Sequence, residues 1–164
     1  MSITSVENKF TSELNNFIIS DFIIDSHDAI NIFPKLNKYS IKNTSIKINV
    51  IKLEEDKNYR VSSFTIFNKE LFNELVENSD FELLDKIEVD NCQIVILNED
   101  KLFDDKLDDW LENCISIKEL YDVTEDGKIC ITSGFGPGVY SLLGYKKNNE
   151  LIAVKIEFIK EKVD

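Results

Sequence analysis

Three of the five glycines fall within five residues, in the run Thr132-Ser133-Gly134-Phe135-Gly136-Pro137-Gly138-Val139-Tyr140. A chain so poor in glycine uses it where the backbone takes unusual dihedrals or approaches something closely. Successive N–H groups in such a turn form a nest that holds an anion. Gly134, Phe135, Gly136 and Gly138 are therefore the candidate ligand-binding residues. The run is not a P-loop, because it lacks the Gly-Lys-Ser/Thr ending, and strand-like residues follow it where both a P-loop and a dinucleotide fingerprint need a helix. It is expected as the tip of a hairpin or the lining of a small cleft. A plain turn with Pro137 fixing its shape is favoured over the nest.

The second candidate is a block of charge. Residues 98–126 hold eleven carboxylates against three lysines, −8 of a total of −12. Asp104, Asp108 and Glu112 share one face of an expected helix, where oxygen ligands could gather a divalent cation. EF-hand spacing is absent, so a solvated face ranks first, a docking patch second and a metal site third. As a docking patch, Asp104, Asp108, Trp110 and Glu112 are the candidate partner-binding residues. Trp110 would be the anchor, although core packing beside Leu107 and Leu111 is the favoured role for it.

His27 lies between two carboxylates in Asp25-Ser26-His27-Asp28, where a raised pKa would suit a general base. It is the only histidine, and a turn is the favoured reading of that segment. Cys92, Cys114 and Cys130 are odd in number and lack C-x-x-C spacing, so they read as reduced thiols of a cytosolic protein. No metal and no cofactor is implied.

The elements that would position these residues follow from periodicity. Val6, Phe10, Leu14, Phe17 and Ile18 recur at helical spacing behind a capping box, Thr4-x-x-Glu7, which predicts a helix over about residues 4–18. Phe22, Ile23 and Ile24 fit a short strand, and Pro34 ends whatever precedes it. From Ser45 the period changes to two, giving a hairpin across residues 54–58 with a bulge at Ser62-Ser63. Asn68 caps a helix to about Glu77 that buries Leu71, Phe72, Leu75 and Val76. Strands are expected at 83–89 and 93–97, then a helix over 104–113. A C-terminal meander completes the chain with strands at 128–132, 139–145 and 151–159, its last turn at Asn148-Asn149. One α+β domain over residues 1–164 is expected, an antiparallel sheet with a few peripheral helices.

Composition narrows the function classes. Thirty-one acids face nineteen bases, of which only Arg60 is an arginine. Such a field repels phosphate backbones, so nucleic acid is excluded as a partner and a basic protein is favoured. Residues 1–7 lack the basic and apolar regions of a signal peptide. No run approaches the roughly 18 apolar residues of a membrane span. Abundant Ile, Lys and Asn with almost no Arg fit an AT-rich genome.

Val89-Asp90-Asn91-Cys92-Gln93-Ile94-Val95-Ile96, the glycine run and the closing strand from Leu151 to Phe158 together resemble a group of bacterial β-rich domains. That group carries a Val-Asp-Ser-Gly-Gln strand, a Ser-Gly-Phe-Gly-Asp-Gly-x-Tyr hairpin and an apolar terminal strand. Here Asn91-Cys92 stands in place of Ser-Gly and Pro137 in place of Asp, which removes any ligand role resting on that aspartate. The resemblance implies a β-rich fold and no particular activity.

Two functions stay open at this point. One is a cytoplasmic, non-enzymatic interaction protein, an acidic inhibitor or immunity-type protein that masks a basic partner. The other is a small-molecule binder or enzyme built on the Gly134–Gly138 loop. The −8 stretch favours the first, and the clustered glycines favour the second.

Overall fold

The computed structural model describes residues 2–8, 14–21, 37–52, 58–72, 80–89, 93–115, 117, 119–124, 126–134 and 136–159. The side chains of residues 2–8 and of residue 103 are outside that description. His27, Cys92, Phe135, Pro34, Leu75, Val76 and the expected strand at residues 22–24 lie outside the described residues.

Two antiparallel sheets carry the fold. The first contains β1 (Ser2–Asn8), β4 (Thr44–Lys52), β5 (Tyr59–Asn68), β11 (Glu150–Glu157), β10 (Gly138–Lys147) and β6 (Glu82–Val89), in that spatial order. The second contains β3 (Asn37–Ser40), β2 (Asn16–Ser20), β7 (Gln93–Asn98), β9 (Ile129–Thr132) and β8 (Tyr121–Val123). One α-helix, α1 (Leu107–Ile115), is present among the described residues, with a 3-10 turn at Glu99–Phe103 leading to it. The expected α+β class with several peripheral helices is therefore wrong. The chain is mostly β.

The main core lies between the sheets. Ile46, Ile48, Phe64, Ile66, Leu142, Val154 and Ile156 from the first meet Phe17, Ile19, Ile94, Ile96, Ile129 and Ile131 from the second. A smaller core lies on the far side of the second sheet, where Ile18, Val95, Leu97 and Cys130 pack under Leu107, Trp110, Leu111 and Cys114 of α1. The second sheet is thus covered on both faces. Its three inner strands, β2, β7 and β9, carry unbroken apolar runs, as strands buried on both sides do.

That double burial explains the N-terminal error. Phe17, Ile18 and Ile19 are all fully buried, and a one-sided amphipathic helix cannot bury three successive residues. They form β2, paired with β3 and β7. Residues 2–8 pair with β4 from Ser2↔Lys52 to Asn8↔Ile46, so the apparent capping box is strand.

The β4–β5 hairpin forms as the alternation requires. Its ladder runs Asn49↔Ser63 then Val50↔Val61, leaving Ser62 as the extra residue of a bulge. Asn68 also acts as a cap: its Oδ1 accepts from the N–H groups of Glu70 at 2.9 Å and Leu71 at 3.0 Å. The helix expected from there to about Glu77 begins as a turn at residues 69–71, and residues 73–77 lie outside the described residues. Leu71 is exposed, whereas Phe72 joins Phe67, Phe81 and Tyr145 in an aromatic cluster over the back of the first sheet.

The C-terminal meander holds only in part. Asn148 and Asn149, at φ of 53° and 63°, turn β10 into β11 as expected. β9, however, pairs with β7 and β8 in the second sheet, while β10 pairs with β6 and β11 in the first. Ile129, Cys130 and Ile131 are all fully buried and need cover on both faces, which only the second sheet supplies. The glycine run is therefore a crossover between sheets, and the hairpin-tip expectation is overturned. It has a neighbour: Gly138 pairs with Val89 in one sheet and Thr132 with Gln93 in the other. These two passages from one sheet to the other therefore lie side by side.

Candidate functional site: the outer face of the helix

Asp104 sets the start of α1. Its Oδ1 accepts from the Lys106 N–H at 3.0 Å, and its carbonyl accepts from the Leu107 N–H at 3.1 Å. A carboxylate in this position holds the turn that leads into the helix and complements the positive end of the helix. Gln93 holds the other end, donating from Nε2 to the Cys114 carbonyl. Between these anchors the apolar stripe Leu107, Trp110, Leu111 and Cys114 is buried against the second sheet.

Asp104 is also spent on a buried cation. Lys128 Nζ lies 3.2 Å from Asp104 Oδ2 and 3.0 Å from Asp126 Oδ2, with the Lys128 side chain 5 % exposed. The same ammonium sits 5.9 Å from the centre of the Trp110 ring, a cation–π distance. Thr124 completes the cluster, donating its hydroxyl to Asp126 Oδ1 and accepting the Lys128 N–H at 3.0 Å.

These contacts move the titrations. The Lys106 N–H, and then Lys128, hold the Asp104 carboxyl below the usual carboxylate range. Partial burial pushes Asp126 up, but the Thr124 hydroxyl and Lys128 outweigh it and its pKa falls. Burial pulls Lys128 down, and its two carboxylate partners more than restore it, so its pKa is raised. The arrangement is a latch tying the helix start to the β8–β9 turn.

The structure therefore separates the four expected partner-binding residues. Asp104 faces the latch and Trp110 is buried, so neither is free to meet a partner. Asp108 and Glu112 are exposed, and Asp105 and Asp109 are exposed with them. Asp105 lies in the turn before α1, while Asp108, Asp109 and Glu112 stand at i, i+1 and i+4 on the face opposite the buried stripe. No basic residue lies in the last helical turn. Ile115 extends this face and is 46 % exposed, an apolar residue bordering the carboxylates. The residue count alone could not show it, because Ile115 reads as one more core position. Among the described residues no group of three or more His, Cys, Asp or Glu is arranged to hold a metal ion.

The glycine run is closed in on itself. Gly134 has φ +57°, and a Cβ there would stand 2.8 Å from Phe158 Cβ and 3.3 Å from the Val61 carbonyl oxygen. Gly136 has φ +106°. Ser133 Oγ donates to the Gly136 carbonyl at 2.9 Å, and Arg60 Nη1 donates to that of Gly134 at 3.2 Å. The positive φ expected for at least one glycine is present, and the packing around Gly134 accounts for it. Gly138 opens β10 on the exposed surface.

Comparison of the chain with protein-family models, with curated proteins and with solved structures finds no match. No helix among the described residues is long and apolar enough to cross a membrane.

Proposed function

We propose that this chain is a non-enzymatic interaction protein whose acidic helix face docks a basic protein, in the manner of an inhibitor or immunity-type protein that masks its partner. One observation carries the reading. The outward face of α1 presents Asp108, Asp109 and Glu112 together, with Asp105 exposed in the turn before it, and none of them is spent on the Lys128 latch. Opposite fields speed encounter and select the partner, while affinity needs a desolvated anchor. Ile115 supplies an exposed apolar side chain at that place. A reducing cytoplasmic setting belongs to the same proposal and suits the free, buried thiols of Cys114 and Cys130.

The test is affinity capture from the source cell with the parent chain and with an Asp108→Lys, Asp109→Lys, Glu112→Lys variant of unchanged circular dichroism and melting. Support is a basic protein retained by the parent, released as salt rises and absent from the variant. Capture of the same proteins by both chains at the same salt overturns the reading.

A further inference from the structure

Cys114 and Cys130 belong to different elements and end side by side. Cys114 is in the last turn of α1, and Cys130 is in β9, an inner strand of the second sheet. Both lie in the small core beneath the helix, at 1 % and 0 % exposure. Their thiols are in hydrogen-bonding contact. The sheet explains the meeting. Cys130 stands opposite Val95 and Thr132 opposite Gln93, so Gln93 projects from the same face as Cys130, one pair along. From there Gln93 Nε2 donates to the Cys114 carbonyl and holds the end of α1 over this part of β9.

Other thiol chemistry does not suit the place. A structural zinc ion takes four ligands, and among the described residues no third His, Cys, Asp or Glu joins the two thiols. A reactive cysteine needs an electropositive, partly exposed setting that favours the thiolate. These two lie under Leu107, Trp110 and Leu111, and the residue opposite Cys130 on β8 is a carboxylate, Asp122. What two touching thiols can do is join.

We infer that Cys114 and Cys130 form an intramolecular disulfide when the chain folds in the presence of an oxidised thiol such as glutathione disulfide, stapling the end of α1 to β9. One cysteine thiolate attacks a sulfur of the oxidant, and one glutathione thiolate leaves. The second cysteine, as its thiolate, attacks the cysteine sulfur of the mixed disulfide. The protein S–S bond forms and the second glutathione departs. Two thiols are oxidised, one glutathione disulfide is reduced, and the two protons pass through solvent to the departing thiolates. The step belongs to folding, because burial beneath the docked helix keeps both thiols from the oxidant. The Lys128 latch holds the start of α1, so latch and disulfide would fix opposite ends of one helix. The bond does not depend on what the acidic face binds.

The test is to refold the reduced, unfolded full chain in a glutathione buffer rich in the disulfide form, then to alkylate, digest and map the peptides. A Cys114–Cys130 link is expected to dominate over links to Cys92 and over glutathione adducts. The linked chain should keep the circular dichroism of a chain refolded with excess dithiothreitol. It should melt higher by up to about 10 °C, because the bond restricts the unfolded chain. Cys92→Ser should form the link unchanged. No preference among the three possible links, altered circular dichroism in the linked chain, or melting no higher than that of the reduced chain would each overturn the inference.

Discussion

Tyr140 reaches back along its own strand and places its hydroxyl 2.7 Å from the carbonyl oxygen of Gly136. The Ser133 carbonyl lies 3.1 Å from the same hydroxyl, and the Tyr140 ring meets Phe158 edge-on at 5.0 Å. One side chain thus caps the crossover between the sheets and packs it against the end of β11. Carbonyls that would be orphaned at a sheet switch are instead satisfied, which such buried backbone requires.

Gly134 and Gly138 should respond very differently to alanine. At Gly134 the new Cβ meets fixed backbone and core atoms in a left-handed conformation. The expected cost is about 2 kcal/mol, or a melting midpoint lowered by roughly 4–8 °C in a chain of this size. At Gly138 the nearest obstacle is the Tyr140 hydroxyl at 3.3 Å, the end of a side chain that can shift. Its alanine variant should lose under about 1 kcal/mol. Equal melting of the two variants would contradict the packing role assigned to Gly134.

The Lys128 latch has a defined pH window. Asp104 and Asp126 have lowered pKa values, so their contribution is complete above the ordinary value of 3.8 and is lost as pH falls through the folded ones. Lys128 is raised, so its contribution is complete below 10.5 and is lost as pH rises through its folded value. Lys128→Met should therefore melt several degrees below the parent near neutrality, with the gap closing at both extremes. Tyr39 adds to the alkaline loss: burial, and then the charge of Asp85, push its phenol up to about 12. Its stabilising contribution fades from about pH 10 to 12. Melts across pH with both chains check the window, and a constant gap would exclude the latch.

Legibility followed burial. The β4–β5 and β10–β11 pairs could be read because their strands alternate between a covered and a more open face, and the bulge at Ser62 showed as a break in phase. β2, β7 and β9 are covered on both faces, so their runs carry no period and partner choice was invisible. The meander failed there. Asp104, Asp108 and Glu112 were found by charge and spacing, but the capture of Asp104 by Lys128 depends on a turn distant in sequence.

Cys114 and Cys130 should resist thiol reagents in the native state. Both are buried in the small core beneath α1. Contact with the Cys114 thiol, and then burial, push the Cys130 thiol far up, which suppresses the reactive thiolate. Alkylation followed by peptide mapping should show both unmodified in buffer and both modified in denaturant. Rapid native labelling of either would mean that α1 lifts from the sheet.

Reversing charges on the helix should divide them by role. Asp104→Lys removes the acceptor for Lys106 and sets a second cation against Lys128, so the fold itself should weaken and the melting midpoint drop. Asp108→Lys and Glu112→Lys act on exposed positions, where substitutions change stability by about 0.5 kcal/mol or less. Their effect should appear in binding, as lost capture of a basic partner. That loss should be greatest at low salt, because surface charges act within a Debye length of about 8 Å in physiological salt. Ile115→Asp, also exposed, should leave melting unchanged and weaken binding at every salt concentration, since an apolar anchor is not screened. If Asp104→Lys melts like the parent while Asp108→Lys and Glu112→Lys do not, the latch and the docking face have been assigned to the wrong residues.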